Sequence, residues 1–194
     1  PELARPGDAI LLVRGIAIEG TALLARECAR TLEPMLGSEL LARCQTFLTD
    51  PGLSVLAPAR LLYQELGPAL HYLHDPTEGG LATGLHELAT ACGTGLRIQQ
   101  RAITVYPETE AVCRALGLDP LGLIASGALL AIVAPEAVDR ALAVLAAAGI
   151  SATQLGWLET DPDCRVLVTE QGERPLPTFA VDEVARLFAE GGCS

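Results

Sequence analysis

The chain has 194 residues, of which half are hydrophobic and 19% are charged, so it is long and apolar enough to fold around a buried core. Its net charge is −11, and all 13 basic residues are arginines. This composition argues against a nucleic-acid-binding protein, which needs a basic patch, and against mechanisms that depend on a Schiff-base or phosphate-loop lysine.

The amino-terminal third predicts one strand followed by three helices. An apolar run predicts a buried strand at residues 9–13. Thr21 is suited to cap a helix over residues 22–30, because its hydroxyl can accept from the first free amides. Amphipathic spacing predicts two more helices, at residues 38–47 and 55–66.

The middle of the chain predicts alternating strands and helices. Candidate strands lie at residues 69–73 and 96–99, and a helix is predicted between them at residues 81–91. A further helix is predicted at residues 107–116, with proline in its first turn and Gly117 just beyond its end.

The last third predicts a strand, a helix, two strands and a final helix. The ranges are residues 128–133, 135–148, 154–158, 165–169 and 181–189. Because strands and helices alternate along the whole chain, we expect a single α/β domain with helices packed against a mixed sheet.

The turn between the predicted strand at residues 69–73 and the following helix carries the most chemistry. Gly79 and Gly80 stand where a helix begins, and free backbone amides at a helix amino terminus bind phosphate well. Asp75 and Glu78 could hold a divalent cation such as Mg²⁺ against the same phosphates. The structural alternative is that Asp75 or Thr77 caps the helix while the glycines pack it against the sheet.

Two other turns offer similar but weaker signals. Glu19 and Gly20 lie between the first strand and the first helix, and Ser126 and Gly127 precede a later strand. Either turn could approach a ligand, but a solvated carboxylate and a close backbone packing contact are the structural alternatives. No Ser-His-Asp or Cys-His arrangement is supported by order or spacing, so the sequence identifies no catalytic residue.

The six cysteines are irregularly spaced, and only three histidines accompany them. This pattern argues against a structural zinc or iron site and predicts that folding needs no disulfide. The chain has no signal-like start and no apolar run of membrane-spanning length, so we expect a cytoplasmic protein without a membrane partner. Cys193 follows two glycines, and could be a reactive thiol or an inert residue on a mobile tail.

Three motifs in this order resemble the aminoimidazole ribonucleotide (AIR) synthetase superfamily. They are the Gly-Ile-Ala-Ile-Glu-Gly-Thr turn at residues 15–21, the Asp-Pro-Thr-Glu-Gly-Gly-Leu-Ala segment at 75–82 and Ala-Ser-Gly-Ala-Leu-Leu at 125–130. The second resembles the Asp-Pro-Thr-Arg-Gly-Gly-Leu-Ala of the hydrogenase-maturation (carbamoyl dehydratase) branch, with Glu78 in place of arginine. The ending Gly-Gly-Cys-Ser also departs from that branch, whose last residues are Pro-Arg-(Ile or Val)-Cys.

The resemblance implies a three-layer α/β/α domain, the carboxy-terminal half of an enzyme that binds ATP and Mg²⁺ and forms a homodimer. It implies that an amino-terminal ATP-binding domain is missing, so that the isolated domain is inactive. Asp75, Thr77, Gly79 and Gly80 would then face the nucleotide phosphates, together with Glu19, Gly20, Ser126 and Gly127, while a second small molecule takes part in phosphoryl transfer or dehydration. The alternative is a non-catalytic binding or dimerisation module that keeps the fold.

Overall fold

Seven strands form one mixed sheet in the computed structural model, which describes residues 1–193. Their order across the sheet is β2-β4-β1-β5-β3-β6-β7. β3 and β6 pair in parallel, and the other neighbours pair antiparallel. The strands are β1 (Ala9–Val13), β2 (Leu70–His74), β3 (Gly95–Gln99), β4 (Leu129–Val133), β5 (Ala152–Glu159), β6 (Arg165–Thr169) and β7 (Gly172–Pro175).

Helices cover both faces of the sheet. They are α1 (Ile18–Glu27), α2 (Ala29–Leu36), α3 (Ser38–Gln45), α4 (Leu56–Leu66), α5 (Gly80–Cys92), α6 (Pro107–Leu116), α7 (Val138–Ala147) and α8 (Glu183–Ala189). Ile10 and Leu12 of β1 join the larger core, which contains side chains of α1, α5 and α6, while Leu11 and Val13 join a second core beneath α4 and α7. The predicted α/β class and its three layers are therefore confirmed.

Several predicted boundaries are wrong for local reasons. The first helix begins at Ile18 rather than residue 22, and Thr21 lies inside it, where its hydroxyl donates to the carbonyl of Ala17 (2.7 Å) instead of capping. The helix ends at Glu27, and α2 follows without having been predicted. β7 was also not predicted, because its four residues are all exposed and carry no apolar alternation.

No helix in residues 1–193 has the length and hydropathy needed to cross a membrane.

The strand directions bring several loops to one edge of the sheet. The pairings show that β2, β3 and β6 run in the same direction as β1. β4 and β5 run in the opposite direction. The carboxyl ends of β1, β2, β3 and β6 therefore lie at the same edge as the amino end of β4. We call this the upper edge.

Candidate functional site

The three turns singled out in the sequence meet at the upper edge. The amide of Ala125 donates to the carbonyl of Thr77 (3.0 Å), and the amide of Gly20 donates to the carbonyl of Ile124 (3.3 Å). Residues 124–127 thus lie between the turn at residues 75–80 and the first turn of α1, which contains Glu19 and Gly20; the expectation that these two residues precede the first helix is wrong, because α1 begins at Ile18. We call these three turns the three-turn site. The contacts are made by backbone groups, so they fix the turns relative to one another.

The turn that follows β1 is held in an uncommon conformation. Arg14 and Ala17 have φ angles of 67° and 57°, in the left-handed region that non-glycine residues rarely adopt. The guanidinium of Arg14 donates to the carbonyl of Gly52 (3.0 Å) and lies 3.5 Å from the carbonyl of Gly127. Such strain persists where surrounding contacts enforce it, and it is common at binding sites. Arg14 was not among the predicted site residues. Its position directly after an apolar strand was the feature of the sequence that could have identified it.

The amino terminus of α5 begins at two glycines with positive φ, Gly79 at 73° and Gly80 at 69°. A Cβ on Gly80 would collide with the carbonyl oxygen of Leu121, so this position admits only glycine. The amide of Gly79 donates to Oδ2 of Asp182 (2.8 Å), which comes from the segment before α8. The alternative that Asp75 or Thr77 caps this helix is therefore wrong, because the cap residue is Gly79 and its amide bonds to Asp182.

Asp75, Thr77 and Glu78 are all exposed on the turn before α5. A hydrogen bond from its own backbone amide and another from the Thr77 hydroxyl lower the pKa of Glu78, so its carboxylate is charged at neutral pH. Residues 1–193 contain no group of three or more acidic, histidine or cysteine side chains arranged to hold a metal. Two exposed carboxylates on one turn still fit Mg²⁺, which commonly takes one or two carboxylates and completes its shell with phosphate oxygens and water.

The other predicted residues differ in accessibility. Glu19 and Ser126 are half-buried and reach the surface, whereas Gly20 and Gly127 are buried. Gly127 has a φ of 101°, and a Cβ there would lie 3.0 Å from the carbonyl oxygen of Gly52. Gly127 therefore lets its turn approach the backbone of Gly52 closely, and Gly20 leaves room for the side chain of Leu123. The side chains able to reach a ligand are those of Glu19 and Ser126.

Two further contacts tie the carboxy-terminal segment to the rest of the domain. Glu183 accepts from Arg186 (2.8 Å) and from the amide of Asp119 (3.1 Å), and these contacts, the first above all, lower the pKa of its buried carboxyl. A disulfide joins Cys28 to Cys193, with the Cα atoms 5.2 Å apart. The interpretation of Cys193 as a free residue on a mobile tail is therefore wrong, because the bond anchors the tail at the junction of α1 and α2.

Comparison with known proteins gives one consistent result. Residues 5–169 match the family described as AIR synthase related protein, C-terminal domain. The carbamoyl dehydratase HypE of Rhizobium leguminosarum bv. viciae is 32% identical over 174 residues, which cover 88% of this chain and 46% of the relative.

Two solved structures have the same fold. E. coli HypE superposes with a TM-score of 0.75 at 26% identity, covering 96% of this chain and 54% of that one. A hydrogenase maturation protein HypE in complex with ATP superposes with a TM-score of 0.73 at 28% identity, covering 92% and 52%. The chain thus spans about half of the length of the proteins that it matches.

Proposed function

Because this chain belongs to the AIR synthase related protein family, as its C-terminal domain, we propose that it forms part of an ATP-dependent hydrogenase-maturation enzyme. In this proposal the three-turn site binds the nucleotide phosphates. The observation that carries the proposal is the meeting of three turns at the amino terminus of α5, at the edge of the sheet where strands end. A HypE with this fold has been solved with ATP, which supports the choice of nucleotide.

The proposed chemistry is positioning and charge neutralisation rather than covalent catalysis. The amide of Gly79 and the positive end of the α5 dipole would meet a phosphate oxygen, with the Thr77 hydroxyl and Ser126 alongside. Mg²⁺ held by Asp75 and Glu78 would neutralise the phosphates and so favour transfer of a phosphoryl group to a second small molecule.

The remaining parts of the proposal concern the whole protein. We infer that an amino-terminal ATP-binding domain completes the cleft, that the full-length protein is a cytoplasmic homodimer, and that the isolated domain turns over little ATP. The reason is the length of the relatives, about twice that of this chain. A nucleotide cleft between two domains would then be only half present here.

One observation favours a second candidate function, a binding or dimerisation module without nucleotide chemistry. The amide of Gly79 is already bonded to the carboxylate of Asp182, and the charged Glu78 adds negative charge to the same turn. A phosphate at Gly79 must therefore displace Asp182, and Mg²⁺ must offset Glu78. The two candidates differ in one requirement, since only the enzyme needs ATP to bind at the three-turn site in the presence of Mg²⁺.

Calorimetric titration of the full-length protein with ATP, with and without Mg²⁺, separates these candidates. If Asp75 contacts phosphate through Mg²⁺, Asp75→Asn removes a charge-assisted interaction of about 1.5–3 kcal/mol, which weakens affinity about tenfold to a hundredfold. Asp163→Asn is the matched control, since Asp163 is exposed on the turn between β5 and β6. Absence of Mg²⁺-dependent binding, or equal affinity in parent and Asp75→Asn, would leave the binding module as the better account.

A further inference from the structure

A cavity opens at the upper edge, away from the three-turn site. Its volume is about 580 Å³, and its lining comes from the residues that end or directly follow β3 and β6, and from β7. The polar side chains that line it are those of Gln99, Gln100, Arg101, Thr169, Glu170, Gln171 and Arg174. None of these residues belongs to the three-turn site.

The position of this cavity in the sheet is typical of a ligand site. β3 and β6 are the parallel pair, and in α/β sheets ligands bind outside the carboxyl ends of parallel strands. β3 is two strands away from β1, which leads into the three-turn site. At about 4.8 Å between neighbouring strands, the cavity begins about 10 Å along the edge from that site. A molecule bound here could therefore reach toward a nucleotide held by the three turns.

The charges of the lining favour an anion. Arg101 and Arg174 are exposed, and within residues 1–193 neither guanidinium makes a hydrogen bond or an ion pair. Arg97 lies on β3, and its guanidinium is by contrast paired with both Glu159 and Glu173. The cavity therefore brings two unpaired arginines together in a chain of net charge −11, and Glu170 is the one carboxylate of the lining.

The backbone segments that form the cavity walls are held by hydrogen bonds that do not involve the two arginine side chains. The hydroxyl of Thr153 donates to the carbonyl of Ala102 (2.7 Å), which fixes the short helical turn that carries Arg101. The hydroxyl of Thr169 donates to the carbonyl of Gly172 (2.8 Å) and accepts from the amide of Gln171 (3.2 Å), which fixes the β6–β7 turn. Both walls thus keep their place when an arginine side chain is replaced.

We propose that this cavity binds the phosphate or carboxylate group of a small anionic molecule, which is the second substrate of the reaction proposed above. The planar guanidinium groups of Arg101 and Arg174 donate in a fork that matches either oxyanion. The side-chain amides of Gln99, Gln100 and Gln171 supply further donors for the polar part of the molecule. The assignment of the ligand as a second substrate rests on the proposed function, but the anion site itself does not.

Binding of two probes, inorganic phosphate and succinate, to the full-length protein tests this proposal by amide NMR or calorimetry. We expect Arg101→Gln and Arg174→Gln each to weaken binding of the preferred probe about tenfold to a hundredfold. Arg60→Gln is the matched control, because Arg60 is an exposed arginine on α4 that lies outside the cavity. Tighter binding of phosphate would identify a phosphate ester as the ligand class, and tighter binding of succinate a carboxylic acid.

Two outcomes would overturn the proposal: binding of neither probe, or equal binding in the parent and both cavity variants. A comparison with ATP keeps this result separate from that of the proposed function. Asp75→Asn should weaken ATP binding and leave succinate binding unchanged. Arg101→Gln should weaken succinate binding and leave ATP binding unchanged. If ATP fails to bind while succinate binds through the arginines, the anion site stands and the nucleotide proposal fails.

Discussion

Asp182 links the carboxy-terminal segment to the amino terminus of α5, so replacing it should change stability and ligand binding together. Its carboxylate accepts from the amide of Gly79 (2.8 Å) and from the amide of Val184 (2.8 Å), where it caps α8. Losing a helix cap costs about 1 kcal/mol. A hydrogen bond from an amide to a charged group adds about 1.5–3 kcal/mol. We therefore expect Asp182→Ala to lower the free energy of unfolding by about 2.5–4 kcal/mol.

Urea denaturation followed by the fluorescence of Trp157, the one tryptophan, measures this change. Asp182→Asn should fall between parent and alanine variant, because asparagine caps about as well as aspartate but carries no charge. The matched control Asp163→Ala should stay within about 0.5 kcal/mol of the parent.

Asp182→Ala should also free the amide of Gly79 and so tighten Mg·ATP binding, even though the protein is less stable. Stability and affinity would then move in opposite directions, which a general loss of structure cannot produce. A loss of stability no larger than that of Asp163→Ala, with unchanged ATP affinity, would refute the role assigned to this contact.

Three other predictions follow from the same contacts. Glu78→Arg replaces a charged carboxylate on the turn before α5 by a cation, so it should tighten ATP binding without Mg²⁺; weaker binding would contradict this. Hydrogen bonds from Arg186 and from a backbone amide lower the pKa of Glu183. Its contribution to stability should therefore be full above the unfolded pKa of about 4.3 and disappear as pH falls through the lower folded pKa, so that parent and Glu183→Gln converge in acid denaturation. Burial raises the pKa of the Cys113 thiol to about 12, so native protein should alkylate at half-buried Cys92 well before Cys113, as peptide mass spectrometry can check.

The sequence was most informative where one local pattern decides the structure. Apolar runs predicted β1 and β4, and proline and glycine marked both ends of α6 at Pro107 and Gly117. The sequence did not predict α2, because a proline inside a helix is unfavourable and Pro34 lies inside α2. It also failed for β7, whose exposed residues pair with β6 through the backbone and so leave no mark in the side-chain pattern.

The candidate site was predictable only as separate turns. Glycines next to polar residues identified each turn, but the hydrogen bond between Thr77 and Ala125 depends on how the sheet aligns distant segments. Asp182 lies 103 residues from Gly79, and the disulfide joins cysteines 165 residues apart, so no spacing rule could have paired them. Side chains that act across such distances require the fold before they can be recognised.

The central claim, that the three-turn site binds nucleotide phosphates through Mg²⁺, is tested most directly by calorimetric titration of the full-length protein with ATP. The parent should bind ATP more tightly with Mg²⁺ than without it. Asp75→Asn should lose about tenfold to a hundredfold of that Mg²⁺-dependent affinity while its unfolding midpoint stays near that of the parent. Equal Mg·ATP affinity in the parent and Asp75→Asn, at equal stability, would contradict the claim.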